Sequence, residues 1–218
     1  MPKPVYGING SGMHCHQSLF DKGGNNLFFD SEDPYYLSKE AYGFIAGQLE
    51  HARALAAIVA PTVNSYKRLV PGYEAPVYVG WAQINRSALI RIPRHTTGRD
   101  ESIRAELRFP DPSANPYLAF AAMLAAGLHG IDEGLKCPKP LNNVNIYDLT
   151  KEERVSRGID ALPNSLADAL RVLDGDELLK ETLGSEMYAA FLRAKWTEVQ
   201  EYRSHVMDWE VQRYLEVA

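Results

Sequence analysis

The stretch GINGSGMHCHQS, residues 7–18, places a glycine-rich turn directly before an alternating run of polar side chains. Its three glycines allow positive φ angles and a close approach of backbone amides to a ligand. In an extended strand, His14, His16 and Ser18 point to the same face because successive side chains alternate. Two imidazoles and a hydroxyl on one face suit a divalent metal with phosphate oxygens, whereas a His-x-His pair alone more often lies on a surface strand.

Length and composition limit the possible classes of protein. The chain has 218 residues, a hydrophobic fraction of 45% and a formal net charge of −5. It is long enough for one sizeable core in one or two domains, and it has no electrostatic footprint for nucleic acid or a membrane surface. No apolar run is long enough to cross a bilayer. The two cysteines, Cys15 and Cys137, are too few for a disulfide framework and indicate a reducing cytoplasm.

Apolar periodicity and breaker residues predict an α+β fold with an antiparallel sheet backed by helices and a helical C-terminal tail. The predicted extended segments are residues 4–9, residues 13–20, two antiparallel strands within 77–92, and residues 102–109. The predicted helices are Ser38–Ala60, Tyr117–Gly134, Ser165–Leu173, Asp176–Leu183 and Ser185–Glu216. The second helix is apolar almost all round, which predicts that it is buried.

The strand at 102–109 has charges on one face and apolar side chains on the other. The charged face holds Arg104, Glu106 and Arg108. A structural ladder of ion pairs is the simpler explanation for this pattern in an arbitrary protein. Together with His14, however, Glu106 becomes a candidate metal ligand, and Mg²⁺ or Mn²⁺ is the expected cation.

The segment from Arg68 to Glu74 joins a proline turn to a flexible glycine. This combination fits a flap that closes on a ligand, although an ordinary surface loop has the same composition. Arginines are also crowded between Arg86 and Arg108, and this local positive charge suits a small anionic substrate.

Four ordered stretches of the chain resemble the type I glutamine synthetases. They are residues 7–18, KRLVPGYEAP at 67–76, the stretch from NRS to RIP within 85–93, and RAELR at 104–108 followed by PDPSANPY at 110–117. The resemblance is strong over residues 1–134 and looser from there to the C-terminus. It implies that 1–134 form the core of a catalytic domain and that 135–218 add a loop and helices to the same domain. It also implies that the sheet is part of a catalytic β-barrel, whose first strands and small N-terminal β-grasp domain belong upstream of residue 1.

The same resemblance implies a role for individual residues. The metal ligands would be His14 and Glu106. The ATP contacts would be His16, Gln17, Ser18, Arg86, Arg91 and Arg104, with Arg86 also stabilising the transferred phosphoryl group. The glutamate contacts would be Asn9, Gly10, Arg68 and Arg108. Glu74 would be the flap carboxylate that shields the acyl-phosphate and accepts a proton from ammonium.

The implied reaction is the ATP- and Mg²⁺- or Mn²⁺-dependent ligation of ammonia to the γ-carboxylate of glutamate, in a cytoplasmic homo-oligomer built as a double hexamer. Two alternatives stay open at this point: a related ligase that uses another amine, and a non-catalytic truncated domain. Tyr147 aligns with a tyrosine that some members modify, and we expect it to be structural here. The aromatic stripe from Trp196 to Tyr214 is expected to be core, with a partner groove as the second interpretation.

Overall fold

The computed structural model describes residues 1–85, 87–142 and 144–217. Within these residues, four short strands form one open sheet in the order β1-β4-β3-β2. The strands are β1 Cys15–Gln17, β2 Trp81–Ala82, β3 Ile90–Arg91 and β4 Ala105–Leu107. β4 runs antiparallel to both β1 and β3, whereas β2 runs parallel to β3. The α+β class is confirmed, but the sheet is mixed rather than antiparallel.

The predicted antiparallel pairing within residues 77–92 is wrong. Trp81 lies opposite Ile90 in the parallel register of β2 and β3. The connection between them is not a tight hairpin, because the Asn85 side chain donates to the carbonyls of Leu141 and Val144. These two bonds hold the connection next to residues 141 and 144 before the chain returns to the sheet. A parallel pair needs a longer connection of this kind, whereas an antiparallel pair can be joined by a tight hairpin.

Helices are the main regular elements in the rest of the described structure. They are α1 Lys39–Glu50, α2 Ala52–Val59, α3 Ser65–Arg68, α4 Pro116–Asp132, α5 Lys151–Ser156, α6 Leu166–Asp174, α7 Glu177–Leu183, α8 Ser185–Ser204 and α9 Asp208–Tyr214, with short 3-10 helices at Asp100–Ser102 and Ile146–Asp148. The Ser38 side chain accepts a hydrogen bond from the Ala41 amide and begins α1 as predicted. No described helix has the length and apolar character that a membrane span requires.

Two predicted long helices are each divided in the structure. The first is broken at His51, whose Nδ1 lies 2.6 Å from Asp176 Oδ2 and whose Nε2 lies 3.1 Å from His129 Nδ1. These contacts hold His51 at φ −89° and ψ 2°, outside the helix geometry. The second is broken between α8 and α9, where the Met207 amide donates to the Glu210 side chain and starts a new helix.

The N-terminal segment is compact, so the extended structure predicted for residues 4–9 is wrong. The Ser11 amide donates to the Pro2 carbonyl at 2.8 Å and closes a loop. Gly7 lies within this loop at φ +82°, a conformation that favours glycine. Segment 1–12 therefore folds back on itself before it enters β1.

One hydrophobic core joins the sheet to the helices. Helices α1 and α4 pack so closely that a Cβ on Gly47 would lie 2.0 Å from the Ala126 carbonyl oxygen. The other side of α4 is open, which contradicts the prediction of a helix buried all round. Tyr117, Phe120 and Leu124 are 84%, 54% and 45% exposed because they face away from α1. The aromatic stripe at the C-terminus is also only partly core, since Trp196 packs on it while Trp209 is exposed.

Candidate functional site

Strand register separates charged from apolar side chains on the sheet. His16, Glu106 and Arg91 lie opposite one another across β1, β4 and β3. The next row contains Cys15, Leu107 and Ile90, all of which are buried in the core. Because neighbouring residues of a strand point to opposite faces, the charged row lies on the face away from that core.

Glu106 is the centre of the charged face and is only 2% exposed. Its Oε1 lies 3.0 Å from His14 Nδ1 and 3.5 Å from Arg108 Nε, and its Oε2 lies 2.5 Å from Arg91 Nε. The Arg91 N–H does not point at Oε2, so this contact is an ion pair without hydrogen-bond geometry. A buried carboxylate needs such compensation, and the arginines provide it.

The electrostatic surroundings keep His14 neutral. Burial lowers the pKa of the imidazole, the guanidiniums of Arg108, Arg68 and Arg91 lower it further, and Glu106 opposes them. Neutral imidazole is the form that binds metals. A lone pair on His14 and the carboxylate of Glu106 therefore form a donor pair that fits two positions around a divalent cation. Over the three described stretches, no group of three or more His, Cys, Asp or Glu side chains converges to hold a metal.

A cavity of about 560 Å³ lies over this face. Six of the predicted site residues line it together: Asn9, His14, Glu74, Arg91, Glu106 and Arg108. Glu74 belongs to an exposed segment that also brings Gly72 and Tyr73 to the rim. The glycine-rich segment, the flap and the charged face of the sheet therefore meet around one space, which is large enough for a small substrate.

Arg68 lies behind this cavity rather than in its wall. It is 5% exposed, and its guanidinium donates to the carbonyls of Phe109 at 2.7 Å, Pro110 at 3.4 Å and Arg108 at 3.2 Å. A Cβ on Gly12 would lie 2.4 Å from Arg68 Nη2. At this position glycine is thus required by the packing of Arg68. A direct contact between Arg68 and glutamate stays a prediction.

Gly10 also has no room for a side chain, in this case because of a backbone atom of Pro2. A Cβ at this position would lie 2.2 Å from the Pro2 carbonyl oxygen, so the loop closes only around glycine. Gly10 is not among the residues that line the cavity. The predicted contact of Gly10 with a substrate likewise stays a prediction.

Of the described residues predicted to contact ATP, all but Arg91 lie in β1 or beside it, whereas Arg91 lies in β3 and lines the first cavity. Arg104 Nε donates to His16 Nδ1 at 3.0 Å, and burial lowers the pKa of His16, which keeps the ring an acceptor. The Gln17 side chain instead accepts from Gln48 Nε2 at 2.7 Å, behind the sheet. Ser18 lines a second, more apolar cavity of about 550 Å³, which His14 and His16 also border. The predicted Arg86 lies outside the described residues.

Four cavity residues were not assigned from the sequence: Gly72, Tyr73, Ser87 and Tyr147. Tyr73 and Ser87 lie inside the quoted motifs, so their position beside assigned residues was the available signal. Tyr147 was expected to be structural. Its hydroxyl donates to the Ala75 carbonyl at 3.1 Å, and burial raises its pKa, so it remains a neutral donor at the edge of the cavity.

Comparison with known proteins agrees with this arrangement. The sequence profile of the family described as "Glutamine synthetase, catalytic domain" matches residues 1–214. The glutamine synthetase of Thermotoga maritima is 52% identical over 215 residues, which cover 99% of this chain and 48% of that protein. The glutamine synthetase of Halobacterium salinarum is 51% identical over 216 residues, which cover 99% and 47%.

Solved structures give the same result. A GmaS–ADP complex superposes with a TM-score of 0.86 and 39% identity, covering 99% of this chain and 48% of that chain. Ligand-free GmaS superposes with a TM-score of 0.81 and 38% identity. The chain spans about half the length of the curated relatives it matches. This chain therefore belongs to the glutamine synthetase catalytic-domain family.

Proposed function

We propose that this chain is the C-terminal catalytic part of a glutamate–ammonia ligase. The observation that carries the proposal is a buried carboxylate, Glu106, held between His14, Arg91 and Arg108 under a cavity in a member of this family. In the proposed reaction, a γ-carboxylate oxygen of glutamate attacks the γ-phosphorus of ATP and ADP leaves. Ammonia then attacks the γ-carbonyl carbon, phosphate leaves, and glutamine is formed.

The charged face would bind the phosphates and the cation. His14 and Glu106 would hold Mg²⁺ or Mn²⁺, which when bound neutralises phosphate charge during transfer. Arg91, Arg104 and Arg86 would contact the phosphate oxygens, because guanidinium matches phosphate geometry. His16, Gln17 and Ser18 would contact the rest of ATP. The likeness to a protein solved with ADP supports nucleotide binding.

Glutamate would lie on the opposite side of the cavity, where Asn9, Gly10, Arg108 and the buried Arg68 bind or shape its α-amino-acid end. Glu74 is exposed at the rim, so its carboxylate is free to take a proton from an incoming ammonium ion. The flap would also exclude water from the acyl-phosphate, which otherwise hydrolyses.

The larger assembly forms part of the same proposal. Residues 1–134 would be the catalytic core, 135–218 its helical continuation, and the mixed sheet one part of a β-barrel. The whole protein would be a cytoplasmic homo-oligomer, a double hexamer as in the resembled family. The exposed apolar residues of α9, such as Trp209, support a partner surface at this end.

The test is ADP release from ATP by the 218-residue chain, with glutamate, ammonium and Mg²⁺ or Mn²⁺ present. We expect release that requires all three and is lost in Glu106→Gln. Methylamine in place of ammonium distinguishes the related amine ligase. A folded chain that releases no ADP under any of these conditions would overturn a self-sufficient activity and leave a non-catalytic domain.

A further inference from the structure

We propose that Lys3 is a positioning residue for the flap, which we define as residues 71–75. In this arrangement the Lys3 ammonium group holds the Tyr73 ring and thereby keeps Glu74 at the rim of the cavity. The catalytic consequence rests on the proposed function, because it assigns the proton-accepting role to Glu74. The structural part, that Lys3 restrains the flap, stands by itself.

Both ends of the flap are fixed to the core. At the first end, the Val70 amide donates to the carbonyl of the buried Arg68 at 2.9 Å. At the second end, Ala75 is 7% exposed and its carbonyl accepts the hydrogen bond from Tyr147. The position of Glu74 therefore depends on what restrains the residues between these two ends.

The middle of the flap has few restraints of its own. Gly72 lies at φ +91° with open space around its Cα, and Pro71, Gly72 and Glu74 are exposed. The described hydrogen bonds include none that joins residues 71–74 to another described part of the chain. A glycine with positive φ in an exposed segment is a natural hinge, so an added contact at the tip has a large influence.

Lys3 supplies that contact. Its Nζ lies 3.9 Å from the centroid of the Tyr73 ring, within the range of a cation–π interaction, and it also donates to the Ile8 carbonyl. The Lys3 backbone is itself held by Asn64, which accepts from the Lys3 amide at 2.8 Å and donates to the Lys3 carbonyl at 2.9 Å. The side chain therefore extends from an anchored point.

The anchor connects Lys3 to the base of the flap. Asn64 precedes α3, and α3 ends at Arg68, where the flap segment leaves the core. Lys3 and the flap are therefore positioned by the same short element. Since Asn9 from the N-terminal segment and Tyr73 from the flap line the same cavity, the contact joins two of the segments that form the site.

The experiment measures flap exchange, which we define as the hydrogen-exchange rate of the Val70 amide, the hydrogen-bonded amide at the first end of the flap, in the full chain. Lys3→Met removes the positive charge but keeps a long apolar side chain. Loss of a half-buried cation–π contact is expected to speed exchange of the Val70 amide about threefold, because this amide is uncovered when the flap moves away. Lys3→Arg keeps a cation over the Tyr73 ring and is expected to restore slow exchange. If Lys3 acted only by filling space, Lys3→Met would exchange as slowly as the wild type.

A matched control uses another lysine–tyrosine pair of the chain. Lys67 Nζ lies 5.2 Å from the Tyr202 ring centroid, and Lys67→Met is expected to leave flap exchange unchanged. Tyr73→Leu removes the same contact from the flap side and should add nothing to Lys3→Met. Unchanged flap exchange in Lys3→Met, or no restoration by Lys3→Arg, would overturn the proposal.

Kinetics separate this proposal from the proposed function. If the chain turns over, Lys3→Met is expected to raise KM for ammonium severalfold while leaving KM for ATP unchanged, because all the described residues assigned to ATP except Arg91 lie in β1 or beside it. An equal rise in both constants would contradict a role through Glu74. If the wild-type chain has no activity, a self-sufficient activity of this chain is overturned, and the exchange experiment still decides whether Lys3 holds the flap.

Discussion

The two faces of β4 are almost equally buried but contain opposite chemistry. Glu106 is 2% exposed and Leu107 is 0% exposed. Leu107 packs into the core beside Ile90 and Cys15, whereas Glu106 lies among His14, Arg91 and Arg108. Burial alone therefore does not distinguish a packing position from a site position, and the side-chain partners do.

The difference also concerns free energy. The apolar face gains stability simply by leaving water, at roughly 25 cal/mol per Å². A buried carboxylate loses hydration, and its ion pairs often do no more than compensate for that loss. A charged cluster that is beneath a cavity and contributes little net stability is best explained by ligand binding. The comparison then predicts that changes on the two faces have different consequences.

The largest effect on stability is expected on the apolar face. Leu107→Ala should lower the free energy of unfolding by about 4 kcal/mol, because it leaves a cavity in the core. Urea denaturation of the purified variant measures this loss. Leu215→Ala, at a position 74% exposed, is the control and should change stability by less than about 0.5 kcal/mol. Similar losses in the two variants would contradict the assigned core.

On the charged face, Glu106→Gln should cost about 3 kcal/mol, since it leaves the guanidiniums of Arg91 and Arg108 without their shared carboxylate. Glu74→Gln makes the same chemical change at an exposed position and should cost less than about 0.5 kcal/mol. Thermal unfolding of both variants tests the contrast. A Glu106→Gln variant as stable as the wild type would mean that Glu106 is not electrostatically coupled to Arg91 and Arg108.

Behind the apolar face, the packing of α1 on α4 is sensitive to single methyl groups. Gly47→Ala should cost about 2 kcal/mol because its Cβ would meet the Ala126 carbonyl. Gly175→Ala is the matched control, since Gly175 has φ −93° and the nearest atom to a Cβ, the Val172 oxygen, is 3.5 Å away. Equal stability of the two variants would contradict the close helix contact.

The smallest effect is expected at the rim of the cavity. Tyr147→Phe removes the hydrogen bond to Ala75 and should cost about 1 kcal/mol at neutral pH. Because burial raises the pKa of Tyr147, its neutral form contributes stability below pH 10, and this contribution is lost as pH rises further. The difference in the free energy of unfolding between wild type and Tyr147→Phe should therefore become smaller above pH 10. A difference that grows there would contradict the assignment.

Local sequence signals predicted one part of this architecture well. The alternation in residues 102–109 correctly places Arg104, Glu106 and Arg108 on one face, because strand periodicity is a property of the backbone. The cap at Ser38 was predicted from its own hydroxyl and the following helix. The closeness of His14 to Glu106 was not a matter of local pattern, and it followed only from the resemblance to a family.

The predictions that failed depended on distant contacts. The break at His51 needs His129 and Asp176, and the parallel pairing of β2 with β3 needs the bonds from Asn85 to residues 141 and 144. The composition of α4 indicated a buried helix but could not show that one side lacks a neighbour among the described residues. Sequence periodicity reports what a segment can bury, and only the fold decides what covers it.

Manganese binding to the folded chain tests the central claim most directly. Mn²⁺ is titrated by electron paramagnetic resonance into the wild-type chain, Glu106→Gln and Leu107→Ala, at a temperature where all three are folded. The account predicts that Glu106→Gln weakens binding at least about tenfold, whereas Leu107→Ala binds as the wild type does despite its lower stability. Equal Mn²⁺ affinity in wild type and Glu106→Gln would contradict the assignment of the charged face as the site.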